Sequence, residues 1–127
     1  MNDKQGIAPE DVARIQSMLD ENLASIRRLH DELRTRRLGG TIVVTPGIAG
    51  LGAHLIKQIF DSVAGFEDFN PENDPYGEHD CGVMEIAGIK IIWKIDYFDN
   101  QRLYHSDDAA DPNVTVRVMT VMRADEY

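Results

Sequence analysis

The chain has 127 residues, 43% of them hydrophobic, one cysteine, and a formal net charge of −9 that lies entirely in residues 41–127. This length and composition favour one globular domain burying roughly two-thirds of its unfolded surface, and the single Cys81 excludes an intramolecular disulfide and a multi-cysteine zinc site. No apolar run approaches the ~20 residues of a membrane span and the opening MNDKQGIAPED is too polar for a signal peptide, so a cytoplasmic chain with no membrane partner is expected.

Residues 9 to about 37 read as one long helix. Pro9 suits its first turn, Glu10 and Asp11 complement the positive end of the dipole, and Arg34, Arg36 and Arg37 complement the negative end. Val12, Ile15, Leu19, Leu23, Ile26, Leu29 and Leu33 recur with helical period, and Gly39-Gly40 supplies the stop. At ~1.5 Å per residue such a helix overhangs a small domain. Residues 1–25 therefore count as an extension of the first helix, set apart from a single domain over 26–127. Their apolar stripe suits either packing or homodimer formation through the first helix.

Residues 41–45 (TIVVT) form a short strand ended by Pro46-Gly47. A second helix spans 51–64, with Leu51, Leu55, Ile59 and Val63 in line and Ile56 and Phe60 beside them. Residues 65–80 form an acidic loop. No Lys or Arg lies between Lys57 and Lys90, an interval that holds Glu67, Asp68, Glu72, Asp74, Glu78 and Asp80. Such a surface repels phosphate backbones, so no direct nucleic-acid partner is expected; it suits a basic protein surface, or simply solubility. Strands follow at about 82–86, 89–97 and 114–123, with an Asp-rich surface connection over 99–113. Helices and strands do not alternate as βαβ units, which predicts an α+β fold: a small antiparallel sheet of three to four strands packed on helices, with a long N-terminal helix.

The hairpin carries the most geometry. A two-residue turn at Ala87-Gly88 sets Ile86 opposite Ile89. Met84, Ile86, Ile89, Ile91, Trp93, Ile95 and Tyr97 then share the core face. The other face pairs Glu85 with Lys90, Val83 with Ile92, Cys81 with Lys94, and His79 with Asp96.

Several groups along this hairpin have chemical potential. A His79–Asp96 hydrogen bond would fix the imidazole tautomer and raise its basicity, and Lys94 would stabilise developing negative charge. The plain alternative is cross-strand polar pairing worth roughly 0.2–1 kcal/mol per pair. Asp74, Glu78 and Asp80, with His79, also offer hard metal ligands, yet the stretch from Asp68 departs from the calcium-loop pattern, with Asn73 at the glycine position. Gly47, Gly50 and Gly52 match no phosphate-binding fingerprint and read as a flexible connection. Lys94 beside Cys81 offers a means of lowering the thiol pKa, with a lone buried thiol as the plainer reading.

The segments NDPYGEHDCG (73–82), WKIDYFD (93–99) and DAADPNVTVRVMTVM (108–122), with the closing ADEY, carry a resemblance. Together they resemble a family of small uncharacterised proteobacterial proteins, often encoded on plasmids and integrated elements and carrying a domain-of-unknown-function label. The resemblance covers about residues 26–127. It implies a mobile-element setting and no particular activity. Cys81 stands where that pattern has an aromatic residue, which counts against it as a nucleophile.

Two functional expectations follow. The first is a small acidic non-catalytic binding protein, without a cofactor, that presents Glu67, Asp68, Glu72, Asp74, Glu78 and Asp80 to a basic protein surface. Its concrete form is an anti-CRISPR-like inhibitor of a host nucleoprotein complex that mimics nucleic acid. The second is a metal-dependent hydrolase or nuclease centred on the GEHD and WKID segments. There His79, held by Asp96, takes a proton from water, Lys94 neutralises charge, and Asp74, Glu78 and Asp80 hold the metal.

Overall fold

A computed structural model describes residues 8–127. Helix α1 (Pro9–Arg36) has Pro at its first position, acidic residues in its first turn and Arg34 and Arg36 in its last. It ends where expected, ahead of the glycine pair, with Arg37 turned left-handed (φ 59°) and its N–H reaching back to Leu33. Strand β1 (Thr41–Val44) leads into a single helical turn, α2 (Pro46–Ala49), so Pro46 opens a helix where a turn was expected. Helix α3 (Ala53–Ala64) follows. After the loop come β2 (Cys81–Ile86), β3 (Ile89–Phe98) and β4 (Val116–Arg123), and a 3-10 turn at Ala124–Glu126 ends the chain.

The fold is α+β, with one four-stranded sheet in the order β1-β4-β3-β2. The β2–β3 hairpin has the expected register, from Cys81 opposite Lys94 to Ile86 opposite Ile89. Its Ala87 and Gly88 both have positive φ (52° and 79°), as a two-residue primed turn requires. β3 and β4 are antiparallel, but β1 joins the far side of β4 in parallel, so the sheet is mixed rather than wholly antiparallel. The chain between β1 and β4 contains a helix and the whole hairpin, enough to return β4 in the same direction as β1.

Leu33 of α1, Ile48 of α2, and Ile59 and Val63 of α3 pack with Phe66 against Ile91, Trp93, Ile95, Met119 and Val121 on one face of the sheet. Full burial of each such side chain contributes roughly 1.5–3 kcal/mol. The Trp93 indole lies directly over Gly82 on the neighbouring strand, where a Cβ would stand only 2.8 Å from Phe66 as well. The first half of α1 lies away from this core: Val12, Ile15, Met18 and Leu19 are exposed, and the first buried residue of the helix is Ile26. Among the described residues no helix is long and apolar enough to cross a membrane.

Candidate functional site

The second half of α1 crosses the apolar face with Ile26, His30, Leu33 and Arg34 turned inward. Polar residues at helical spacing thus enter the core and meet the 65–80 loop and the end of β3. Arg34 anchors the assembly. Its Nη1 donates to the carbonyls of Val63, Ala64 and Phe66, each at 3.0 Å, and its Nη2 donates to Asp31 at 3.0 Å. The guanidinium also lies over the rings of Phe69 and Trp93. These carbonyls belong to the last two residues of α3 and to Phe66 just beyond it, so Arg34 caps the end of that helix.

Asp31 also bonds His79, whose Nδ1 stands 2.9 Å from Oδ1, and the imidazole is stacked on Phe69 with centroids 3.8 Å apart. Asp74 is buried, and its carboxylate accepts the backbone N–H groups of Glu78 and His79. Asn70 and Asn73 tie the preceding turn together: Asn70 Oδ1 accepts from the N–H groups of Glu72 and Asn73, and Asn73 Nδ2 donates to the Asp68 carbonyl. Further along the sheet, Tyr97 Oη donates to Glu78 at 3.4 Å. His30 Nδ1 donates to the Glu78 carbonyl at 2.9 Å, and its ring stacks on Tyr97. Burial holds the His30 pKa down near 4. Burial and the carboxylate of Asp80 push Glu78 up, and burial with Asp74 pushes Asp80 up. Tyr97 faces Arg117 across the ladder, and Arg117 is almost wholly enclosed.

Three expectations about this region are corrected. His79 does not pair with Asp96. Its backbone is left-handed (φ 55°), which takes it out of the strand and aims the ring at α1, while Asp96 bonds Lys94 at 3.0 Å. The histidine does have a carboxylate partner, but it is Asp31. The metal-ligand trio is not assembled either. Asp74 directs its oxygens at N–H groups, and no group of three or more His, Cys, Asp or Glu side chains among the described residues converges to hold an ion. The Cys81 thiol is pushed up rather than down, because burial and Asp80 outweigh Lys94. The glycine segment has its own occupant: the Gly47 N–H donates to Glu126, which also accepts from Thr45 Oγ1 and is lowered in pKa chiefly by that bond.

The acidic set therefore divides. Asp74, Glu78 and Asp80 are turned toward the body of the fold, whereas Glu67, Asp68 and Glu72 are exposed and form no ion pair among the described residues. His30, Asp31, Arg34 and Phe69 were not foreseen as partners. The available sign was a cluster of ionisable residues one turn apart, inside the apolar stripe of a helix that has to cover a sheet.

The family model described as "Protein of unknown function (DUF3768)" matches residues 44–126. The chain belongs to the DUF3768 family. This agrees with the resemblance to an uncharacterised-domain family, although the match begins at the end of β1 and not at residue 26. Asp74, Glu78, His79, Tyr97 and Arg117 lie inside the DUF3768 span; His30, Asp31 and Arg34 lie before it. No curated protein and no solved structure matches the chain.

Proposed function

We propose that this DUF3768 protein is a non-catalytic binding protein whose outward carboxylates engage a basic protein surface. One observation carries the reading: Asn73, Asp74, Glu78 and His79 of the NDPYGEHD segment are spent on internal bonds, while Glu67, Asp68 and Glu72 of the same loop remain exposed and form no ion pair among the described residues. His79 is held between a ring and a carboxylate, which suits a structural clamp better than a base in search of substrate. The loop that displays the three carboxylates is braced by Asn70, Asn73 and Asp74, so presenting them requires little further ordering. With no Lys or Arg between Lys57 and Lys90 to offset them, the field is negative and strongest within a Debye length of ~8 Å.

In its most specific form the partner surface is one that otherwise binds nucleic acid, in a host nucleoprotein defence complex. The mobile-element setting implied by the resemblance motivates that version, in which the protein acts in the cytoplasm. The test is capture of partners from host lysate with the wild type and with the E67K/D68K/E72K variant. The expected result is salt-sensitive recovery of a basic, nucleic-acid-binding protein that duplex nucleic acid displaces and the variant does not recover. Recovery of no basic partner at low or moderate salt, or equal recovery by the variant, would overturn the proposal.

A further inference from the structure

Between the second half of α1 and the stretch from Phe69 to His79 lies an open cleft of about 360 Å³. That is within the range of small-molecule sites, roughly 300–1,000 Å³. Arg27 Nε donates to the Gly77 carbonyl at 2.8 Å, which holds the guanidinium at the cleft wall. One turn further along α1, Asp31 holds His79, which lines the same cleft, through its Nδ1 at 2.9 Å. Phe69, Pro71 and Pro75 give the remaining wall an apolar surface.

The polar atoms left over in this cleft are unevenly matched. Arg27 Nη1 and Nη2 and Asn70 Nδ2 are donors with no partner among the described residues, and none of them is enclosed. The carboxylates beside them are already engaged. Asp74 accepts the N–H groups of Glu78 and His79, and Asp31 accepts from His79 and Arg34. The acceptor that remains is on the histidine. A carboxylate only accepts, so the bond to Asp31 puts a proton on Nδ1, and the neutral ring keeps a lone pair on Nε2. Nε2 has no partner among the described residues and is not enclosed. Several donors, one acceptor and an apolar wall select a ligand with a carboxylate, one N–H and an apolar side chain. The carboxylate accepts from the guanidinium fork and Asn70, the N–H donates to Nε2, and the side chain lies on Phe69 and the two prolines. An N-acylated amino acid carries all three groups on one carbon atom.

We propose that this cleft binds an N-acylated apolar amino acid through Arg27, Asn70 and His79. That chemistry has two sources, a free small molecule and the carboxyl end of a peptide. None of Glu67, Asp68 and Glu72 lines the cleft, so the site does not rest on the partner proposed above.

The experiment titrates the full chain at pH 7 and constant ionic strength, following the backbone N–H resonances of Gly77 and His79 by NMR. The probes are N-acetylphenylalanine, its carboxamide, acetate, and the peptide acetyl-Ala-Ala-Phe with a free carboxyl end. The expected result is a saturable shift with N-acetylphenylalanine or the peptide and none with the carboxamide or acetate. Equal or tighter binding of the peptide identifies a chain end as the source, and weaker binding identifies a free acyl amino acid. Arg27→Met should raise Kd by about tenfold or more, the loss of a charge-assisted pair. Absence of a saturable shift with both carboxylates, an equal response to the carboxamide or to acetate, or an unchanged Kd in Arg27→Met would overturn the proposal. The probe comparison is made on the wild-type protein, so the test stands even where the variant does not fold.

Discussion

Lowering the pH from 7.5 to 5 should remove about 2 kcal/mol of folding stability through one side chain, His30. In the unfolded chain its imidazole titrates near the ordinary histidine value of 6.5; in the fold, burial lowers the pKa to about 4. Between these values the unfolded chain binds a proton that the folded chain refuses, so stability rises with pH across the window. The contribution is intact above about 6.5, falls as the pH drops, and is fully lost below about 4, at ~3 kcal/mol in total. His30 is fully buried, so solvent screening does not reduce this figure. Glu78 and Asp80 act in the opposite sense. Their raised pKa values make the folded chain hold protons more tightly than the unfolded one, so acidification through their range adds stability. The comparison that isolates the histidine is with His30→Gln, whose amide can still donate to the Glu78 carbonyl but does not titrate. Urea unfolding followed by the fluorescence of Trp93, the one tryptophan and fully buried, reports stability at both pH values. The wild type should lose about 2 kcal/mol more than His30→Gln on going from pH 7.5 to 5. Losses equal to within about 0.5 kcal/mol would refute a buried neutral imidazole.

The hairpin, the clamp and the projecting helix give further expectations. Gly82→Ala pushes a methyl group into Trp93 and Phe66 and should cost about 1–3 kcal/mol, measured by the same urea assay. Arg34→Met strands the carbonyls of Val63, Ala64 and Phe66 and should lower stability by about 3 kcal/mol or more, whereas the exposed Arg36→Ala should change it by about 0.5 kcal/mol or less. Ala87→Gly relieves a side chain held at φ 52° and should gain about 0.5–1 kcal/mol, visible as a higher urea midpoint. Exposed Val12, Ile15 and Leu19 suit pairing with a second copy of the chain, so sedimentation should show a dimer that deletion of residues 1–25 reduces to monomer; a monomeric full-length protein would end that expectation.

What the sequence disclosed, and what it hid, follows from the range of the interactions. The hairpin register was legible because a two-residue turn fixes every later pair, and the observed Cys81–Lys94 pairing agrees. The existence of α1 was legible from period alone, but not which part of its stripe packs: Val12, Ile15 and Leu19 carry the same period as Ile26 and Leu33 and remain exposed. The direction of β1 was not: four residues with no side-chain alternation between buried and exposed carry no signal for parallel or antiparallel pairing. His79 was misassigned because the ladder was extended through it, and a single left-handed residue ended that extension two positions before β2 begins. Its actual partner, Asp31, lies 48 positions away on a helix. Contacts of that separation depend on how α1 crosses the sheet, which no local pattern encodes.

The polar layer also bears on where the domain begins. The DUF3768 match opens at residue 44, yet Arg34 supplies the donors for the carbonyls of Val63, Ala64 and Phe66, and Asp31 holds His79, all four of which lie inside the match. His30 likewise takes the Glu78 carbonyl and covers Tyr97. Removing this helix would expose Trp93 and Ile95 to water and leave three carbonyls at the end of α3 without the Arg34 cap. The turns of α1 from Ile26 onward therefore belong to the same folding unit as the sheet. The turns before it, where Val12, Ile15 and Leu19 of the apolar stripe are exposed and no residue is buried ahead of Ile26, add little to that unit. Along the described part of this one continuous helix, exposed apolar residues therefore precede Ile26, and the ionisable residues after it, Asp31 and Arg34, hold the loop that displays Glu67, Asp68 and Glu72.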